Sequence, residues 1–147
     1  MVDVPAELVL ASTLCIGTIY KFSAPELIDI NIPHYFIVVA IEDDNNYMVV
    51  CTTQLDNKIK YFDNLGLDFN GLVYIKPDNT NGLTKDSYVN CNQYHTITRQ
   101  ELIIKIESEV FECTGGISLG HYMQIKTGIV ESHINDLPEY LLIHPDE

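Results

Sequence analysis

The sequence predicts an α+β fold, a small antiparallel barrel or sheet covered by C-terminal helices. Three observations carry this. Short runs of β-branched and aromatic residues crowd residues 17–97. Sustained helical periodicity with a good capping signal begins only at Thr98. Short polar connections containing Gly and Asn, rather than linkers, separate the runs. Strands first and helices afterwards is an α+β order.

The elements follow in chain order. Residues 5–11 are expected to form a short helix with Pro5 near its first turn. Gly17 opens a strand, Thr-Ile-Tyr-Lys-Phe, and residues 23–31 form a loop with one helical turn at Pro25–Ile28. Residues 32–53 then read as a hairpin. Tyr35, Phe36, Ile37, Val38 and Val39 fit a pleated strand buried on both faces, and residues 42–46 are too polar and too short for anything but a tight connection. A weak alternating strand is expected at residues 58–62, turns at 63–71, a strand at Leu72–Ile75 and a polar loop at 78–86. Residues 87–91 and 94–97 form one interrupted strand or two short ones.

Thr98 and Glu101 have capping-box spacing, and Leu102, Ile103, Ile106 and Val110 then share a helical face. Gly115 and Gly116 close that region. Ser118 caps a second helix with Leu119, Tyr122, Met123 and Ile129 (or Val130) inward, weakened by Gly128. Asp136 caps a third, short helix with Leu137, Tyr140 and Leu141.

At 147 residues, 46% of them apolar, the chain reads as a single domain, residues 1–147, able to bury a core. Its apolar runs all fall short of the roughly 20 residues of a membrane helix, and the opening Met-Val-Asp-Val-Pro lacks a basic secretion-signal start. A cytoplasmic protein is the expectation. The net charge of −13 argues against loose, charge-driven binding to nucleic acid or anionic membrane. The charge is uneven: residues 1–50 hold seven acids and one base, residues 101–147 nine acids and two bases, and residues 51–100 five of each. A site for a polyanion therefore draws on the neutral middle. Cys15, Cys51, Cys91 and Cys113 lack metal-ligand or redox spacing and read as buried free thiols.

Three pieces together resemble the MazF/PemK family of bacterial toxin endoribonucleases, which share a CcdB/MazF-type barrel. Gly17-Thr-Ile-Tyr-Lys-Phe is similar to that family's opening Gly-Asp-Ile-Tyr strand. Pro33 with the apolar run, then Val49-Val-Cys-Thr-Thr, is similar to its Arg-Pro-Val strand and its strand ending in Thr-Ser. Residues 87–102, with Gln93, Thr96 and Leu102 in register, resemble its Ser-x-x-x-x-Asp-Gln-x-Arg-Thr-x-Asp-x-x-x-Leu segment, and Gly116-Ile-Ser118 its closing section. The resemblance spans most of residues 12–132. It implies an SH3-like β-barrel with C-terminal helices packed on it, a homodimer, an antitoxin protein as partner, and cleavage of RNA without metal or other cofactor. Two departures stand out. The arginine before the strand-opening proline is Ile32 here, and the second falls on His95. Thr52 keeps the family's threonine position, and Thr53 replaces its serine.

The reaction so implied is transesterification through the ribose 2′-hydroxyl. It needs a base, an acid for the departing 5′-oxygen and donors for the phosphorane. An imidazole of pKa ~6.5 serves as either acid or base at neutral pH, so His34 and His95 are the candidate catalytic pair, with Thr52 donating to a phosphate oxygen. Thr53, Gln54 and Gln93 are candidates for orienting substrate. Lys58, Lys60 and Lys85 are candidates for phosphate contacts, and Tyr61 or Phe62 for base stacking. Each has an ordinary alternative: histidines as half-exposed polar residues, Thr52 as a β-branched strand residue, lysines as solvated surface. The rival reading for the whole is a non-catalytic acidic interaction module on the same barrel, binding a protein partner.

Overall fold

The computed structural model describes residues 4–28, 32–53, 71–108 and 110–147. Helix α1 (Ala6–Thr13) leads into β1 (Thr18–Phe22) and the single-turn helix α2 (Pro25–Ile28). The hairpin follows as β2 (His34–Glu42) and β3 (Asn45–Thr52). It is longer than residues 42–46 as a turn allow. Pairing continues to Glu42↔Asn45, leaving Asp43 and Asp44 outside the ladder, with Asp43 at φ 54°. Aspartate is one of the few L-residues that tolerate this left-handed backbone, and a two-residue turn of that kind matches the twist of paired strands.

The remaining strands are β4 (Leu72–Ile75), β5 (Ser87–Asn90), β6 (His95–Thr98) and β7 (Glu112–Gly116). All pairings are antiparallel, in the order β4-β5-β3-β2-β1-β7. β3 is shared: its first half pairs with β6 and its last two residues with β5. Helices α3 (Arg99–Ile106) and α4 (Leu119–Glu131) and a 3-10 turn at Glu139–Leu141 complete the chain. The predicted strand at residues 58–62 lies outside the described residues.

Strand alternation splits the core in two. Ile19, Ile37, Val49, Cys51, Val73 and Val89 face α4, packing with its Tyr122, Ile125 and Ile129. Tyr20, Phe22, Phe36, Val38 and Met48 face the other way, with Leu10 of α1 and Leu102 of α3. The hairpin is thus buried on both faces, as its unbroken apolar run requires. A bulge between Val38 and Ala40 leaves Val39 without a cross-strand partner, and the buried Tyr122 hydroxyl donates to the Val39 carbonyl at 2.8 Å.

Among the described residues the strand ladder is open, with β4 and β7 at its ends. A loop joins these ends. After β4 the chain is wound tightly around Asp78 and Asn81. The Asp78 carboxylate accepts from the Asn81 and Thr80 N–H groups and the Thr80 hydroxyl, all at 2.8 Å, and these bonds hold its pKa below the usual range. The wound loop reaches β7, where Gly116 N–H donates to the Thr80 carbonyl at 2.9 Å and the Thr114 hydroxyl to the Asn81 carbonyl at 3.1 Å. The result is a small barrel-like sheet joined by loop contacts instead of a strand ladder.

Several expectations need correction. Gly115 and Gly116 do not end a region: they belong to β7, which pairs with β1. Helix α3 stops at Ile106, so Val110 is off its face and exposed. In α4 the buried positions are Tyr122, Ile125, Gly128 and Ile129, whereas Leu119, Met123 and Val130 are exposed. The third helix is only the 3-10 turn, entered through Pro138 rather than capped by Asp136, and Tyr140 is exposed. The four cysteines are free; Cys51 and Cys91 are buried, but Cys15 and Cys113 are exposed.

Candidate functional site

His34 opens β2, paired with Phe22 of β1. Its Nδ1 lies 2.7 Å from the Ile32 carbonyl oxygen. A carbonyl can only accept, so Nδ1 carries a proton, and in the neutral ring Nε2 keeps a lone pair. That is the tautomer of a general base, held by local backbone.

Thr52 ends β3, paired with Tyr88 of β5. The hairpin register ends at Tyr35↔Cys51 and, continued by one residue, places Thr52 opposite His34. Cα atoms so placed stand about 5 Å apart. The row continues outward, because Tyr88 pairs with Tyr74 of β4 and their ring centroids lie 5.4 Å apart. Phe22, His34, Thr52, Tyr88 and Tyr74 thus form one row across five strands, on one face of the sheet. Phe22 is buried, the next three are half-buried, and Tyr74 is exposed with its hydroxyl donating to Asp86 at 3.0 Å.

His95 shares that face but not that row. It stands opposite Met48, four residues from Thr52 along β3, a separation of about 13 Å along the strand. Phe36 lies between: its ring meets the His95 ring edge-on, centroids 6.3 Å apart. Half-burial there lowers the His95 pKa, because desolvation penalises the imidazolium.

The other predicted residues scatter. Thr53 is exposed just past β3, and Gln93 is exposed in the β5–β6 connection. Lys85 is exposed in the loop before β5. Gln54, Lys58, Lys60, Tyr61 and Phe62 lie outside the described residues. Sequence reasoning missed Tyr88 and Tyr74. Both sit mid-strand between inward-facing residues, Ser87/Val89 and Val73/Ile75, so alternation alone would have turned them to the opposite face.

Chemically, the row offers a base with a fixed tautomer, a hydroxyl opposite it and two aromatic rings beside that hydroxyl. Among the described residues no cluster of three or more His, Cys, Asp or Glu could hold a metal ion, and no helix is long and apolar enough to cross a membrane.

No protein-family model matches the sequence, and a search of curated proteins gives no match. Among solved structures, the chain is similar to the Mycobacterium tuberculosis toxin MazF-mt6, with 14% sequence identity over 76% of this chain and 91% of that one, at a TM-score of 0.49.

Proposed function

We propose that the protein is a metal-independent endoribonuclease of toxin–antitoxin type, cleaving RNA at the row that His34 and Thr52 begin. One observation carries the reading: the Nδ1–H of His34 is committed to the Ile32 carbonyl, so Nε2 is left as a base beside the hydroxyl-bearing end of β3. In this reading Nε2 takes the 2′-hydroxyl proton, and Thr52 donates to a non-bridging phosphate oxygen. Tyr88 and Tyr74 offer faces on which bases stack. Thr53 and Gln93, with Gln54, Lys58 and Lys60, are assigned to the rest of the substrate.

Two groups compete to protonate the leaving 5′-oxygen. His95 was the sequence-based choice. Tyr88 stands directly opposite Thr52, whereas His95 is displaced by about 13 Å along the strand with Phe36 intervening. The register favours Tyr88.

Labelled RNA incubated with the protein in EDTA tests this. Fragments ending in cyclic phosphate are expected, with His34→Ala slower by roughly 100- to 10,000-fold. Tyr88→Phe is expected to lose rate where His95→Gln keeps it; the reverse assigns the acid to His95. A blank lane from the unaltered protein removes the nuclease reading. The reading brings with it a homodimer, an antitoxin protein that covers the row, and a cytoplasmic site of action, testable by sedimentation and co-purification.

Two observations favour a second reading. The chain carries −13, and Ile32 stands where the resemblance implies an arginine. A non-catalytic acidic module binding a basic protein surface explains both. It predicts the blank lane together with salt-sensitive binding to a protein partner.

A further inference from the structure

A cleft lies at the opposite end of β1 from His34. Phe22 pairs with His34, whereas Thr18, four residues back, lines this cleft of about 540 Å³ between the α1–β1 connection and the start of α4. Its walls include Cys15, Gly17, Thr18, Ser118, Leu119 and His144.

Two independent features point donors into this cleft. The first is the N-terminus of the 13-residue α4. Ser118 caps it by accepting from His121 N–H at 3.1 Å, and Tyr122 N–H bonds the Ser118 carbonyl. The N–H group of Leu119, which lines the cleft, remains, as the first donors of any helix do, at its positive end. The second is His144, only 7% exposed. Its Nδ1 accepts from the Asp146 N–H at 3.0 Å, so the neutral ring carries its proton on Nε2. That Nε2 has no hydrogen-bond partner among the described residues. It faces the Gly17 wall of the cleft, where a Cβ on Gly17 would stand 3.8 Å from it. A largely buried ring with one nitrogen satisfied and the other reachable from a cleft offers that N–H to an acceptor in the cleft.

The neighbouring groups define the acceptor. Thr18 donates its hydroxyl to the Thr13 carbonyl at 2.8 Å, so at the 3.1 Å Cys15–Thr18 contact the thiol is the donor. Cys15 therefore directs its S–H at the Thr18 hydroxyl within the cleft wall. Among the described residues the lining contains no Lys or Arg, and the Asp146 carboxylate at the rim is 78% exposed. It repels a doubly charged group more than a singly charged one.

We propose that this cleft binds a small molecule through a carboxylate, held by the Leu119 N–H group and His144 Nε2–H. The volume lies within the usual range for small-molecule sites, roughly 300–1,000 Å³. The site is separate from the His34 row and stands or falls without it.

The test is a ¹H–¹⁵N NMR titration of the full chain with sodium acetate, at ionic strength held constant with sodium chloride, and with inorganic phosphate as comparator. Saturable shifts of the Leu119 amide and the His144 ring N–H are expected with acetate, and weaker binding of phosphate. Leu119→Pro deletes one donor without disturbing the helix: proline suits the first helical position, and Ser118 already holds φ −70° and ψ 160°, the conformation a following proline demands. It is expected to weaken acetate binding about tenfold, while Leu119→Ala keeps it. His144→Gln retains an N–H and binding; His144→Leu loses it. Should His144→Leu fail to fold, the Leu119 pair decides alone. Shifts that chloride reproduces, equal affinity in Leu119→Pro and Leu119→Ala, or tighter binding of phosphate than acetate each overturn the assignment.

Discussion

Replacing Gly82 by alanine tests whether the loop after β4 holds the ends of the sheet together. Gly82 sits at φ +68°, and a Cβ added there would lie 2.1 Å from the Thr114 carbonyl oxygen and 2.8 Å from its carbon. Carbon–oxygen contacts settle near 3.3 Å, so loop and strand must separate by about 1.2 Å. Within two residues of the clash lie the two bonds that tie loop to strand, Gly116 N–H to the Thr80 carbonyl at 2.9 Å and the Thr114 hydroxyl to the Asn81 carbonyl at 3.1 Å. Such a displacement stretches both past hydrogen-bond length. Each contributes about 1 kcal/mol net, and left-handed backbone costs alanine about 1–2 kcal/mol. The expected loss is therefore about 3–4 kcal/mol, a large share of the roughly 5–15 kcal/mol that stabilises a domain.

Urea unfolding measures it, with Gly120→Ala as control. The Gly120 position is open, its nearest atom the Ser118 hydroxyl at 3.8 Å, and alanine there is expected to be neutral or to add up to about 1 kcal/mol. Gly115→Ala strikes the same contact from the other side, 2.0 Å from the Thr80 carbonyl oxygen. The double variant should then lose clearly less than the two single losses together. A Gly82→Ala loss below about 1 kcal/mol, or full additivity with Gly115→Ala, would refute closure through this contact.

Three further outcomes are expected. Burial keeps His95 below its usual 6.5, so the folded protein stays neutral there while the unfolded chain takes up a proton; stability should fall as pH drops through about 6.5 and level off once the folded ring protonates, a decline that His95→Gln flattens in urea titrations. Cys15 and Cys113 should react with a thiol reagent in the native state, whereas Cys51 and Cys91, buried and pushed up to about 12, react only on unfolding; mass spectrometry showing four fast thiols would contradict the packing. Thr98→Ala removes the acceptor for Glu101 N–H at 3.2 Å, and should cost about 1 kcal/mol in the same urea assay.

What could be read from the chain divides by the range of the interaction responsible. The capping box at Thr98 and Glu101 needed only residues three apart, and it is present with both reciprocal bonds. The same holds for Ser118 at the start of α4 and for the single turn at Pro25–Ile28. The inward face of α4 was misread because its burial is set by the sheet it meets. Ile125 and Gly128 are buried against that sheet, and Met123 is exposed. β7 was invisible for a related reason. Glu-Cys-Thr-Gly-Gly has no apolar alternation, and its pairing rests on the β1 backbone and on the loop at Thr80.

The candidate site shows that division most sharply. His34 and Thr52 come together because one hairpin holds both, and hairpin geometry is local. Tyr88 joins them only through the pairing of Thr52 with a strand 36 positions later in the chain, and Tyr74 only through that strand's own partner. Registers of this kind leave no mark in either strand's composition. His95 shows the opposite failure: motif order suggested proximity, but pairing with Met48 instead of Thr52 moved it along the sheet and put Phe36 in the way. A site assembled across five strands is therefore set by cross-strand register, and the residues to mutate first are those the register aligns.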